Sequence, residues 1–168
     1  EPTIIGENYG TIYANDLYVI DQYLYQTAGK ELSVFDVSNP LNCIKVGQYI
    51  ANKTLYDMAV YDEYIYVLTN EGFMIFSIAD RQEPNLIKIH RTGYQLNDLF
   101  VYQQYLFTTS FYELVKIYSL LDPAQPSHLA EYDGGHGKSI MVVNNTAYIG
   151  DASSSIYVFD ISSITSIK

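Results

Sequence analysis

The chain has 168 residues, 48% of them apolar, which suits one domain with a sizeable core and argues against disorder. Nineteen acidic residues against nine basic ones leave a net charge of −10, and a field of that sign repels nucleic acid and anionic membrane surfaces. No apolar run nears the roughly 20 residues of a membrane-spanning helix, and the lone Cys43 allows neither an internal disulfide nor a CxxC zinc motif.

The chain begins at Glu1 without Met or a basic-plus-apolar leader, as expected of a processed or trimmed product whose signal peptide is out of view. From Asp16 a set of short β-patterned runs begins, and it returns throughout the chain. Asp16-Leu17-Tyr18-Val19 recurs as Asp57-Met58-Ala59-Val60, Asp98-Leu99-Phe100-Val101 and Ser139-Ile140-Met141-Val142, each step being 41 residues. Tyr23-Leu24-Tyr25, Tyr64-Ile65-Tyr66, Tyr105-Leu106-Phe107 and Thr146-Ala147-Tyr148 follow with the same spacing. A third run recurs at Val34-Phe35-Asp36, Ile75-Phe76-Ser77, Ile117-Tyr118-Ser119 and Val158-Phe159-Asp160. A fixed period of roughly 40–45 residues is the mark of a propeller blade.

The second unit shows four strands: Asp57–Tyr61, Tyr64–Thr69, Phe73–Ile78 and Leu86–His90. The first two strands of each unit are joined by a polar pair, Asp21-Gln22, Asp62-Glu63, Gln103-Gln104 or Asn144-Asn145, as in tight hairpins. The second and third are joined by Gly29-Lys30-Glu31, Asn70-Glu71-Gly72, Phe111-Tyr112-Glu113 or Ser153-Ser154-Ser155. Between third and fourth, Ser38-Asn39-Pro40 and Asp122-Pro123-Ala124-Gln125-Pro126 block strand continuation. The runs Phe73-Met74-Ile75-Phe76 and Ile156-Tyr157-Val158-Phe159 are apolar throughout, as expected of strands covered on both faces. Eighteen Tyr recur mostly in phase with these runs, so most of them are structural.

The expected fold is all-β: a β-propeller of four blades, each of four antiparallel strands, in one domain. The blades span about 16–56, 57–97, 98–138 and 139–168, the last completed by 1–15. Pro2 to Asp16 has the spacing of Pro84 to Asp98, so Glu1–Ile5 is in phase with a fourth strand. Ile4-Ile5 should therefore pair beside Ile156–Phe159, closing the ring and removing its edges. The competing reading is an excised half of a larger ring, which would leave one blade face bare.

Leu32-Ser33-Val34-Phe35-Asp36-Val37-Ser38-Asn39-Pro40 resembles the LVIVD repeat, and Ile156–Ser162 and Val115–Pro123 follow it more loosely. The second unit departs most, with Ser77 in place of Asp and Arg81 in place of Pro. The resemblance covers nearly the whole chain. It implies a β-propeller of bacterial or archaeal surface or exported proteins, with a binding or scaffolding role and no catalytic residues.

Two features stand out as candidate sites. Asp16, Asp57 and Asp98, with Ser139 as the fourth, occupy equivalent positions around one channel mouth, where three carboxylates could hold Ca²⁺. The plainer reading is that each Asp accepts backbone N–H groups of its own turn. The second is Asp133-Gly134-Gly135-His136-Gly137-Lys138, the loop that breaks the repeat's chemistry, with Asp151 on the same face. Its glycines admit close backbone approach to a ligand and its His can titrate or ligate. It lacks the spacing and helix of a Walker phosphate loop. His90 and His128 fall on outer strands and are expected to face solvent. Asn52-Lys53-Thr54 and Asn144-Asn145-Thr146 match the glycosylation pattern, which matters only in a eukaryotic secretory setting.

The sequence supports first a non-catalytic, extracellular or cell-surface module binding a protein or carbohydrate partner through mouth loops, alone or within a larger surface assembly. A Ca²⁺-dependent sugar-binding propeller is the second reading, and a hydrolase or lyase using mouth carboxylates the third.

Overall fold

The computed structural model describes residues 1–3 and 13–165. Its strands fall into four sheets, each an antiparallel meander paired in chain order. Blade 1 comprises β1 (Ala14–Ile20), β2 (Tyr23–Ala28), β3 (Glu31–Asp36) and β4 (Ile44–Ile50). Blade 2 comprises β5 (Met58–Tyr61), β6 (Tyr64–Thr69), β7 (Gly72–Ser77) and β8 (Asn85–Arg91). Blade 3 comprises β9 (Leu96–Tyr102), β10 (Tyr105–Ser110), β11 (Val115–Ser119) and β12 (Ser127–Tyr132). Blade 4 has β13 (Gly137–Val143), β14 (Thr146–Asp151) and β15 (Ile156–Asp160), followed by a short helix, α1 (Ser162–Thr165), that the sequence pattern did not suggest.

The polar pairs between the first two strands make the tight turns expected of them. Asp21, Asp62, Gln103 and Asn144 all take positive φ, as does Asn145, which sets the register Ile20↔Tyr23, Tyr61↔Tyr64 and Tyr102↔Tyr105.

Side-chain alternation then decides how blades stack. On β6, Ile65 and Val67 point into a buried cluster with Tyr25, Leu32 and Val34 of blade 1. Tyr66 and Leu68, one residue out of phase, join Leu99, Leu106 and Tyr118 of blade 3. Phe107, Val115 and Ile117 of blade 3 likewise meet Ile140, Val142, Ala147 and Ile149 of blade 4. The first two seams are each also spanned by a tyrosine. Tyr25 donates its hydroxyl to the Arg81 carbonyl (2.8 Å) and Tyr66 donates to that of Pro123 (2.9 Å), both carbonyls lying between the third and fourth strands of the next blade. Burial raises the Tyr25 phenol to about 12, so it stays a donor.

The innermost strands pack in the series β1, β5, β9, β13. Among the described residues no buried cluster leads back from blade 4 to blade 1. The expected pairing of Ile4-Ile5 with β15 lies outside the described residues. One expectation does fail: Ile156–Phe159 is not covered on both faces. Ile156 and Val158 are exposed, while Tyr157 and Phe159 on the other face pack toward blade 3. His90 also departs from expectation, since its ring stacks on Phe73 at 4.5 Å and meets Tyr118 edge-on in the second seam. That partial burial holds its pKa below the usual histidine range, helped by the nearby Lys88 and Lys116 charges.

The seam tyrosines give a direct test. Replacing Tyr66→Phe removes one hydroxyl and leaves the Pro123 carbonyl without it, at a cost of about 1 kcal/mol. The denaturant midpoint should fall with an unchanged m-value.

Candidate functional site

The aspartates at the mouth form a relay between blades. Asp16 accepts the Met58 N–H on Oδ2 (2.9 Å), Asp57 accepts that of Leu99 (3.1 Å), and Asp98 accepts that of Ile140 (2.7 Å). The other oxygens of Asp57 and Asp98 accept the N–H of the residue that follows each of them. Asn15 and Asn97 repeat the theme, donating to the Leu55 and Gly137 carbonyls of the next crossover (both 2.6 Å). The turn-capping reading was therefore half of the arrangement, and the inter-blade half was not visible in one unit. Among the described residues no group of three or more His, Cys, Asp or Glu side chains is placed to hold a metal ion. The carboxylates are occupied by backbone donors.

The Asp133–Lys138 loop is also built more firmly than its glycines suggest. Asp151 accepts the His136 N–H on Oδ2 (2.8 Å), and its Oδ1 is taken by the hydroxyl and N–H of Ser153. These bonds, Ser153 foremost, hold the Asp151 carboxyl below the usual carboxylate range. A Cβ on Gly137 would lie 2.0 Å from the Leu114 carbonyl oxygen, so close packing requires glycine there. Asp133, Gly134 and Lys138 are exposed, and the Gly134 carbonyl accepts a 3.4 Å bond from Tyr157. Asp151 is thus a brace for the loop. The ring of His136 lies flat against Phe111, with centroids 4.2 Å apart and planes 11° apart, and its Nδ1 meets the Phe111 carbonyl.

That contact leads to a feature the sequence reading passed over. A cleft of about 620 Å³ is lined by Gly93, Tyr94, Gln95, Asn97, Phe111 and Tyr112. Its aromatic rings form a chain: Tyr94 to Tyr112 at 5.6 Å, Tyr112 to Phe111 at 6.0 Å, then Phe111 to His136. Phe111 and Tyr112 are exposed at the tip of the β10–β11 turn. Ser110 fixes that turn by accepting the N–H groups of Tyr112 (3.2 Å) and Glu113 (2.8 Å) on Oγ. Tyr94 is pinned from behind, since its hydroxyl donates to Glu113, which is itself paired with Lys116. The signal for this site was present in the turn residues. Units one, two and four place Gly29-Lys30, Asn70-Glu71 and Ser153-Ser154 where unit three places Phe111-Tyr112. Aromatic rings at a hairpin tip have no core to enter.

The aspartate relay has a pH consequence. Burial raises the Asp57 carboxyl to about 6, and the adjacent Asp98 carboxyl adds to the effect; burial also raises Asp16. A carboxyl with a higher pKa folded than unfolded binds its proton more tightly in the native state, so stability grows as pH falls through about 6. Glu31, Glu71 and Glu131 act in the opposite sense. Hydrogen bonds from Lys45, Lys53 and Lys116 lower them, and their contribution is lost only as pH falls below the unfolded value of 4.5. Melting temperature should therefore rise by a few degrees between pH 7.5 and 5 and turn down below about 4.5. Asp57→Ala should flatten the rise, as read by calorimetry across that range.

Similarity to known proteins fits this geometry. The model of the LVIVD repeat matches residues 13–51, 55–92 and 134–168. The unmatched stretch, 93–133, is the crossover into the third unit and most of that unit, not the second, and it supplies every residue lining the aromatic cleft. No curated protein matches the chain. Among solved structures, the computationally designed Ika4 protein aligns with a TM-score of 0.75 at 12% identity, over 96% of this chain and 99% of its own. The computationally designed Ika8 protein aligns with a TM-score of 0.70 at 11% identity, over 88% of this chain and 46% of that one. BamB from Moraxella catarrhalis aligns with a TM-score of 0.69 at 16% identity, over 86% of this chain and 42% of its own. The chain thus spans less than half the length of the last two, and at these identities the likeness is one of fold. Since the repeat model covers more than half of its length, the chain belongs to the LVIVD-repeat family of β-propeller proteins.

Proposed function

We propose that this chain is a non-catalytic interaction module of a cell-surface or secreted protein, a rigid propeller scaffold that binds its partner through loops at one mouth. The observation that carries this reading is the Tyr94–Phe111–Tyr112 cleft, which lies in the stretch the repeat model leaves unmatched. Blade-building does not require two exposed rings at a turn tip, and exposed apolar groups held at fixed positions are a feature of binding surfaces. Of a protein and a glycan, the cleft favours the glycan. Ring faces offer stacking area for the apolar face of a sugar, while the Gln95 side chain and the Asn97 carbonyl oxygen offer polar contacts at the rim.

An absence of catalysis accords with the mouth chemistry, because the aspartates that could serve as acid and base are engaged by backbone N–H groups. The Ca²⁺-dependent variant of the sugar reading has no specific observation in its favour. The cleft is complete within blade 3 and the crossover that enters it, so this reading does not depend on closure of a four-bladed ring by the two termini.

A glycan array with the intact chain is the direct experiment. Phe111→Ala with Tyr112→Ala should reduce binding at least ten-fold, on the order of 1 kcal/mol for each stacking ring. Lys30→Ala, at the matching turn of blade 1, should leave it unchanged. Binding that survives loss of both rings would refute the cleft as the site. Calcium up to millimolar concentration should leave the melting temperature where it is, and a rise would reinstate a cation site.

A further inference from the structure

The two end blades expose surfaces that every other blade buries. On the face directed away from blade 3, β14 and β15 present Tyr148, Ile156 and Val158, which are 44%, 74% and 60% exposed. The repeat gives each of them three counterparts. Tyr25, Tyr66 and Phe107 match Tyr148; Leu32, Phe73 and Val115 match Ile156; Val34, Ile75 and Ile117 match Val158. All nine are between 0% and 5% exposed, because each is covered by the following blade. At the other end the opposite face is bare. Leu17 is 52% exposed, whereas Met58, Leu99 and Ile140 at the same phase are 4–6% exposed. Val19, 55% exposed, matches Val142 at 4%.

These are the two halves of one seam. Within the chain, a face like that of Tyr148, Ile156 and Val158 always receives a face like that of Leu17 and Val19. Among the described residues no blade covers this face of blade 4, and none covers the opposite face of blade 1. The two do not satisfy each other within the chain among the described residues, where no buried cluster joins blade 4 to blade 1. The four sheets align with 46% of the Ika8 chain and with 99% of the Ika4 chain, so a unit of this size stands both as about half of a longer chain and as a whole one.

We infer that two copies of this chain assemble head to tail into one closed ring, blade 4 of each covering blade 1 of the other. A head-to-tail contact normally propagates, but it closes when the rotation per copy is a half turn. The seam specifies a polar contact too. Tyr25 and Tyr66 donate to carbonyls at Arg81 and Pro123, whose counterpart one unit earlier is Pro40. The Tyr148 hydroxyl accordingly donates to the Pro40 carbonyl of the second copy.

The test uses the 168-residue chain in analytical ultracentrifugation at micromolar concentration. The expected mass is twice the 19.1 kDa of one chain. Val158→Asp with Ile156→Asp should bring it down to one chain, and so should Leu17→Asp with Val19→Asp; a cooperative melt of each variant shows that it folds. Mixing the two variants should restore a two-chain species, because one of its two seams is then intact. A monomeric parent chain would overturn the inference and favour closure within the chain or further blades on a longer one. A series of ever larger species, or dimers that persist in both variants, would overturn it as well.

Discussion

The carboxylate relay at the mouth ties the architecture together. A propeller blade is a sheet with two apolar faces, and dispersion and hydrophobic burial alone leave such faces free to slide. Asp16, Asp57 and Asp98 remove that freedom by each accepting an N–H from the inner strand of the next blade. The bond fixes the height of one blade against the next, so that Ile65 and Val67 meet Tyr25 and Val34 instead of their neighbours. The seam tyrosines do the same work farther out. Anionic charge is concentrated where the chain has little to spare, since the net charge is already −10. The raised pKa of Asp57 is the electrostatic cost of that arrangement.

Much of this fold was legible in the sequence because the repeat multiplies weak local signals. A pair such as Asp21-Gln22 is poor evidence of a turn by itself, but four pairs in phase set the hairpin register across the chain. The strands of blade 2 were found to within a residue at most ends for the same reason. What periodicity cannot show is the environment at its own ends. Ile156-Tyr157-Val158-Phe159 is as apolar as Phe73-Met74-Ile75-Phe76, yet one is half exposed and the other enclosed. The difference lies in what stands next to the blade, which is a property of the array.

The mouth shows a similar limit. The three aspartates attracted a metal reading because identical residues at identical phase suggest convergence. In a ring, equivalent residues point at their neighbours as readily as at the axis, and each of these carboxylates accepts an N–H of the next blade. The Gly-rich loop at Asp133–Lys138 attracted attention by composition. It proved to be the support for something else: the His136 ring that lies against Phe111.

Departure from the repeat remains the best guide to function once it is read by exposure as well as composition. Glycines in a crossover are explained by close approach, as Gly137 against the Leu114 carbonyl shows. Aromatic residues at a turn tip have no such explanation. Phe111 and Tyr112 bury little of themselves in the described fold, and a turn of Gly, Asn or Ser would close β10 onto β11 as well, as in the other three units. The supporting bonds from Ser110, Glu113 and Lys116 hold the rings in a defined arrangement instead of letting them collapse onto the sheet. Blade 3 keeps the seams that the array needs on both faces and uses the one place where the array makes no demand. A repeat scaffold can acquire a binding surface in this way without loss of stability, because seams and turn tips share no residues.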